Sequence, residues 1–217
     1  MRPTEKTRVK RVPVRGHYDK ETIYKILDAT FFCHVAFIFG GYPVIIPTLY
    51  GRKDDRLFIH GATSSRMIEH LTAGADISVS ITLVDGFVLA RSAFHHSMNY
   101  RSVVLFGKGE GVPEKDKYES LRIISDHILP GRWEEVREPS RKELKATHII
   151  SIPIHEASAK IRTGPPKDDV PDYDLDVWAG VIPLKLVVDQ PIADPMLKEG
   201  IPVTRMLEKL FARYGRI

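Results

Sequence analysis

Residues 92–107, SAFHHSMNYRSVVLFG, crowd two histidines, an Asn-Tyr-Arg-Ser cluster and a β-branched apolar run into one short stretch. Polar side chains that lead directly into a buried strand need partners, because an unsatisfied buried group costs free energy. A ligand is one such partner. His95, His96, Asn99, Tyr100 and Ser102 are therefore candidate ligand contacts. On an extended backbone Tyr100 and Ser102 share a face, whereas His95 and His96 point to opposite faces. Two histidines so placed are poor partners for one ion, and no metal site is expected. Imidazole titrates near neutrality, which makes His95 or His96 the best candidate for proton delivery. The bland alternative is a loop of ordinary, satisfied polar residues.

Three further segments carry chemistry. In FIHGATSSRM (58–67) a strand ends at His60 and Gly61, a small-residue loop follows, and Ser65 and Arg66 open a helix. Hydroxyls, free N–H groups and a guanidinium at a helix start suit a phosphate. Simple capping beside a solvated Arg66 explains the same residues. In VIIPTLYG (44–51) the proline within a strand points to an edge or a bulge. Pro47 and Thr48 can then offer main-chain hydrogen bonds to a flat heterocycle, or form a plain edge strand. In KIRTGPPKDD, Lys160 and Arg162 alternate and so share one face, and Trp178 begins the last strand, VWAGVIPLKLVV. A basic face near an indole suits an anionic, aromatic cofactor. Alternatively, Trp178 anchors the fold and Arg162 pairs with Asp168 or Asp169.

The elements that must position these groups follow from pattern. Asp19 caps a helix running to about Thr30, with Ile23, Ile26 and Leu27 on one face. FFCHVAFIF and PVIIPTLYG form a hairpin about Gly40 and Gly41. RLFIHG is a strand, and SRMIEHLTAG a short helix. DISVSITLV and FVLARS are strands separated by a turn at Asp85-Gly86, and YRSVVLFGKGEGV is a long strand. Helices are predicted from about Glu114 to Leu129 and from Ser140, whose spacing to Glu143 makes a capping box. HIISIPI extends through SAKIRTG as strand, and GPPKDDVPDYDLD is an ordered loop. The tail from Pro202 is an amphipathic helix carrying Met206, Leu207, Leu210 and Phe211. Short turns between strands imply an antiparallel sheet, and a closed barrel removes its edges.

The 217 residues are 43% hydrophobic and 28% charged, enough for a packed core and one domain spanning 1–217. The net charge of +4 owes much to a basic arm at 1–18, read as a flexible terminus or as a strand wrapping a partner subunit. The rest of the chain mixes charges of both signs, so nucleic-acid binding is not expected. No apolar run approaches the ~20 residues of a membrane helix, so no membrane partner is expected. No secretory signal is visible. The one cysteine, Cys33, lies in an apolar run as a buried core residue, which suits a cytoplasmic setting.

The segments GHYD, IPTLYGR, HGATSSRM, LVDGFVLARSAFHHSMNYRSVVLFG, EASAKIRTGPPKDD and VWAGVIPL, in this order, resemble the FMN-binding split-barrel proteins related to pyridoxamine 5′-phosphate oxidase. The closest resemblance is to the flavin-nucleotide-binding branch that includes nitroimidazole-resistance proteins. It implies a six-stranded antiparallel split β-barrel with peripheral helices, a homodimer, and FMN in clefts at the subunit interface. By position, the resemblance places Ser65 and Arg66 at the FMN phosphate, His60 and Gly61 along the cofactor, and Pro47, Thr48 and Tyr50 beneath the flavin. Trp178 matches the tryptophan of the final strand. Arg66 with Lys160 or Arg162 would neutralise the phosphate.

The chain departs from the oxidases in three places. Met67 follows Ser65-Arg66 where they carry a basic residue, VIIPTLYG is neutral, and the arginine-rich C-terminal ending is missing. These departures count against pyridoxine phosphate as substrate. The implied function is flavin-dependent oxidoreduction of a small molecule. A non-catalytic flavin carrier or sensor is one alternative. A haem-binding barrel is another, given nine histidines.

Overall fold

The computed structural model describes residues 1–216. Strands dominate. They are β1 (Gly16–His17), β2 (Phe32–Phe39), β3 (Tyr42–Leu49), β4 (Gly51–Lys53), β5 (Arg56–Ala62), β6 (Asp76–Leu89), β7 (Ser97–Lys108), β8 (Glu110–Gly111), β9 (Thr147–Pro153), β10 (Glu156–Arg162) and β11 (Gly180–Pro183). The helices are α1 (Lys20–Asp28), α2 (Arg66–Thr72), α3 (Lys117–Ile128), α4 (Arg141–Ala146) and α5 (Met206–Tyr214). The ladders β1–β10, β10–β7, β7–β6, β6–β2, β6–β11, β4–β5 and β8–β9 are antiparallel. Two compact units emerge, each drawn from several stretches of chain.

The first unit contains residues 1–48, 76–108 and 153–185. Its sheet runs β1-β10-β7-β6-β2-β3, with β11 also on β6. As expected, Asp19 caps α1, its carboxylate accepting from the Thr22 N–H at 2.7 Å, and Ile23, Ile26 and Leu27 are buried. The β2–β3 turn needs Gly40 and Gly41, whose φ values are 59° and 84°. Pro47 sits on the terminal strand of the sheet path, where a residue without an N–H is tolerated. Cys33 is fully buried, and burial pushes its thiol up to about 12.

Two expectations fail in this unit. Asp85-Gly86 is not a turn: β6 runs continuously through it and only shifts register between Val84 and Gly86. The bulge has two causes. Arg101 grips Asp85 through two hydrogen bonds of 2.9 and 2.6 Å. A Cβ on Gly86 would stand 2.8 Å from the Ile182 carbonyl of β11, so only glycine lets that strand approach. The basic arm is not loose either. The Met1 amino group donates to the Tyr18 carbonyl, Thr4 donates to Glu156 at 2.5 Å, and the Val9 N–H donates to the Tyr18 hydroxyl at 2.9 Å. Thr7 is buried.

The second unit contains residues 49–75, 109–152 and 186–217. Its sheet runs β4-β5-β9-β8. The strand read through HIISIPI and SAKIRTG is therefore two strands, one in each sheet, divided at 154–155. The Ser140–Glu143 capping box forms as read. A Cβ on Gly51 would lie 2.6 Å from the Ile124 Cα, so β4 lies directly on the α3 backbone. The tail helix α5 forms, with Met206 its buried residue. The final strand is only four residues long, and the chain after Lys185 has little regular structure.

The architecture is mainly β, antiparallel, and of the split-barrel type. Its strands are more numerous than the six expected and lie on two sheet paths rather than one closed ring.

Candidate functional site

In the first unit, the β10–β7–β6 register aligns Lys160 with Ser102 and Thr82, and Arg162 with Tyr100 and Val84. Residues paired across an antiparallel ladder point to the same side. Lys160, Arg162, Tyr100 and Ser102 thus share one partly open face. The Ser102 hydroxyl donates to the Lys160 carbonyl at 3.3 Å. Arg162 is only 6% exposed, though it lies in a strand that ends at a surface loop. Its guanidinium donates to the Asn99 side-chain oxygen, to the Gly164 carbonyl at 3.4 Å and, at the 3.5 Å limit, to the Pro165 carbonyl. The Asn99 amide nitrogen donates to the Gly164 carbonyl at 3.2 Å. Asn99 and Arg162 together fasten the start of the proline-rich loop.

The alternative pairing of Arg162 with Asp168 or Asp169 does not form. Asp168 belongs to Arg91, a residue the sequence reading passed over. The Asp168 carboxylate accepts from the Arg91 backbone N–H at 2.9 Å and from its guanidinium at 3.1 Å. This carboxylate has no exposed surface, although it sits in a surface loop. Burial works to raise its pKa, but the Arg91 and Ser92 backbone N–H groups and the Arg91 charge outweigh it and hold the carboxyl below its usual value. The Arg91 guanidinium also lies 4.9 Å from the Tyr173 ring centroid, while its Nε has no hydrogen-bond partner. The charges of Arg91 and of Lys167-Asp168-Asp169 were the available signal, but nothing in their spacing showed that Arg91 and Asp168 meet.

The two histidines differ. His96 is exposed, and its Nδ1 accepts from the Ala90 N–H at 3.0 Å. In the neutral ring that leaves the proton on Nε2, so the outward nitrogen is a donor and not a metal ligand. His95 is half-buried, stacks edge-on against Phe94, and places Nε2 at 3.4 Å from Asp169. Trp178 is exposed, with its ring over Gly180. Pro47 and Thr48 end β3 in this unit.

In the second unit, His60 and Gly61 lie in β5 and Ser65 and Arg66 open α2. Ser65 is the N-cap by position, yet its hydroxyl makes no capping bond. A Cβ on Gly61 would meet Ile68 at 2.7 Å, so packing of α2 on β5 requires glycine there. His60 is exposed as a residue, but partial desolvation of its ring lowers its pKa and favours the neutral form. Tyr50 is fully buried against the His127 ring. Among the described residues no cluster of His, Cys, Asp and Glu is placed to hold a metal ion. No described helix is long and apolar enough to cross a membrane.

A family model described as pyridoxamine 5′-phosphate oxidase matches residues 19–161. The chain belongs to the pyridoxamine 5′-phosphate oxidase family. Within that family its likeness to the flavocytochrome Anf3 from Azotobacter vinelandii reaches 41% identity, over 96% of this chain and 97% of that one, with a TM-score of 0.91. The FAD and heme binding protein from Mycobacterium smegmatis is 35% identical over 90% of this chain and 97% of that one, with a TM-score of 0.88. A Bacteroides thetaiotaomicron protein described for 5-nitroimidazole antibiotic resistance shares the fold: TM-score 0.57, 22% identity, 67% and 86% covered. No curated protein matches the chain. The match of the pyridoxamine 5′-phosphate oxidase model ends at Ile161, so Arg162, the proline-rich loop and Trp178 lie beyond it.

Proposed function

We propose that this chain is a flavin- and haem-binding redox protein that works as a homodimer. The observation that carries the reading is its 41% identity, over nearly the full length of both chains, to a flavocytochrome. The relative named for FAD and heme points the same way. FMN is the flavin implied by the sequence resemblance, and FAD is the one in the relative's name. Both carry the isoalloxazine ring and the ribityl phosphate. When bound, a flavin supplies one- and two-electron transfer and a haem supplies one-electron transfer.

The residues present fit the phosphate and ring of a flavin. In the second unit, Ser65 and Arg66 would hold a phosphate, since the Ser65 hydroxyl is not spent on its own helix. His60, whose lowered pKa favours the neutral form, then has one donor and one acceptor nitrogen for a polar ring edge, with Gly61 next to it in β5. In the first unit, Tyr100 and Ser102 face the same side as Lys160 and Arg162, with Asn99, Trp178, Pro47 and Thr48 as the remaining cofactor contacts. His95 and His96 are the candidates for proton delivery, and the outward Nε2–H of His96 suits a donor.

Dimerisation is supported by an apolar surface with no cover in one chain. Ile182, Phe87 and Met98 are cross-strand neighbours on β11, β6 and β7, and all three are exposed. Contiguous exposed apolar residues of this kind mark interaction sites. A small-molecule substrate and a cytoplasmic setting complete the reading, the latter matching a lone buried thiol.

The absorption spectrum of the purified chain tests the proposal. A Soret band together with flavin bands, and sedimentation at about twice 24.6 kDa, are expected. Chromatography of the released flavin distinguishes FMN from FAD. A colourless protein that takes up neither cofactor would overturn the reading. Turnover of reduced nicotinamide with an electron acceptor separates an oxidoreductase from a carrier.

A further inference from the structure

Arg162 is a nearly buried cation whose hydrogen bonds all go to neutral oxygens. Among the described residues no carboxylate lies within ion-pair distance of Arg162, Lys160 or Arg15. The acids of the adjoining loop are engaged elsewhere, Asp168 by Arg91 and Asp169 by His95. A second guanidinium makes the imbalance worse. Arg15 ends a short 3₁₀ turn, Pro13–Arg15, directly before the Gly16–Lys160 pair that joins β1 to β10. Burial lowers the Arg162 pKa, and the nearby Arg15 charge lowers it further. A covered cation beside a like charge, with no counter-ion, is an unfavourable arrangement unless something anionic joins it.

The turn that presents Arg15 is itself built in place. Val9 packs where a Gly16 side chain would stand, at 3.0 Å from a Cβ built there. The Arg15 N–H donates to the Val12 carbonyl at 3.0 Å, and Val12 adopts a positive φ of 55° to allow it. A β-branched residue in that region is strained, so the chain holds this turn against a local preference.

We infer that Arg15, Lys160 and Arg162 form an oxyanion seat, closed by the N-terminal turn, that takes a phosphate or carboxylate of a bound cofactor. The inference rests on the cofactor reading above and extends it to the N-terminal arm. Two sources share the chemistry: a flavin's phosphate groups and a haem's propionates. Guanidinium and ammonium groups pair with either through charge-assisted hydrogen bonds.

Substitution of Arg15 separates this role from a structural one, since among the described residues Arg15 makes no side-chain hydrogen bond or ion pair. The full-length chain is compared with Arg15→Ala and Arg15→Lys, using inorganic pyrophosphate, FMN, FAD and haemin as probes. Pyrophosphate should raise the melting temperature of the parent chain and not that of Arg15→Ala. Without ligand, Arg15→Ala should melt no lower than the parent, because a like charge has been removed. Affinity for the seated cofactor should fall about ten- to a hundredfold, with partial recovery in Arg15→Lys. Loss confined to FAD assigns the seat to the pyrophosphate, loss of both flavins to the ribityl phosphate, and loss confined to haemin to a propionate.

Unchanged affinity for every probe would overturn the seat, as would a ligand-free Arg15→Ala that melts several degrees lower. If the parent chain takes up neither flavin nor haemin, the cofactor reading falls. Pyrophosphate stabilisation that Arg15→Ala abolishes would still uphold the seat.

Discussion

Arg91 and Arg162 both tie down the loop that follows β10, and they leave its two ends in different electrostatic states. Arg91 meets Asp168, whose carboxylate is fully covered and also accepts the Arg91 backbone N–H. Charge is balanced there within the chain. Arg162 meets only an amide oxygen and two carbonyls, and has Arg15 for a neighbour. Hydrogen bonding is supplied at the second end, but charge is not. A buried arginine with its own carboxylate is a structural fastener. One held by neutral oxygens alone keeps its charge available to a ligand.

The largest effect should come from breaking the balanced end. Arg91→Ala leaves the Asp168 carboxylate covered and without its cation, a strongly destabilising change. Differential scanning calorimetry should show a melting temperature lower by on the order of 5 °C at neutral pH. The pH dependence sharpens the point. The folded-state pKa of Asp168 is held below 3.8, so its contribution is present above that value and lost as pH falls through the folded value. The gap between parent and variant should therefore narrow as the pH is taken well below 3.8. A constant gap would show that Arg91 stabilises through Tyr173 stacking and not through the carboxylate.

The two ends also differ in how legible they were. Local rules revealed the caps at Asp19 and Ser140, the glycine pair at Gly40 and Gly41, and the edge position of Pro47, because turns and caps depend on residues a few positions apart. Alternation placed Tyr100 with Ser102 and Lys160 with Arg162, and only the register showed that these two pairs face one another. The bulge at Asp85-Gly86 read as a turn because its causes, Arg101 and the β11 carbonyl, are remote in sequence. Arg91 was missed for the same reason, its partner standing 77 residues away. Arg162 was named with Lys160 as one basic face, and the acids offered in the alternative reading, Asp168 and Asp169, meet Arg91 and His95 instead.

A smaller effect should come from the neutral oxygens at the second end. Asn99 is 8% exposed and uses both ends of its amide, one toward Arg162 and one toward the Gly164 carbonyl. Asn99→Leu removes both bonds and should cost about 1–3 kcal/mol in denaturant titration, the range for leaving buried polar groups unsatisfied. Bound cofactor should offset part of that loss if Arg162 then pairs with an anion. Equal losses with and without cofactor would place the anion away from Arg162, and would make this end as purely structural as the other.

The smallest effect belongs to the remaining contact between the loop and the histidine segment. His95 reaches Asp169 at 3.4 Å, but the Asp169 side chain is 80% exposed, so water competes for both partners. Exposed ion pairs typically contribute about 0–1 kcal/mol. His95→Gln keeps a polar side chain of similar reach and should shift the unfolding free energy by no more than about 0.5 kcal/mol. Since the fold barely depends on it, any change in turnover can be read as chemistry. His96 behaves otherwise, because its Nδ1 holds the Ala90 N–H at the end of β6. His96→Ala should lower stability by roughly 1 kcal/mol, the net worth of one such bond. A matched pair of measurements, unfolding and turnover on both variants, then decides between them. Loss of turnover in His95→Gln at unchanged stability assigns proton delivery to His95. Unaltered turnover in that variant removes His95 from the candidates and leaves the outward Nε2–H of His96.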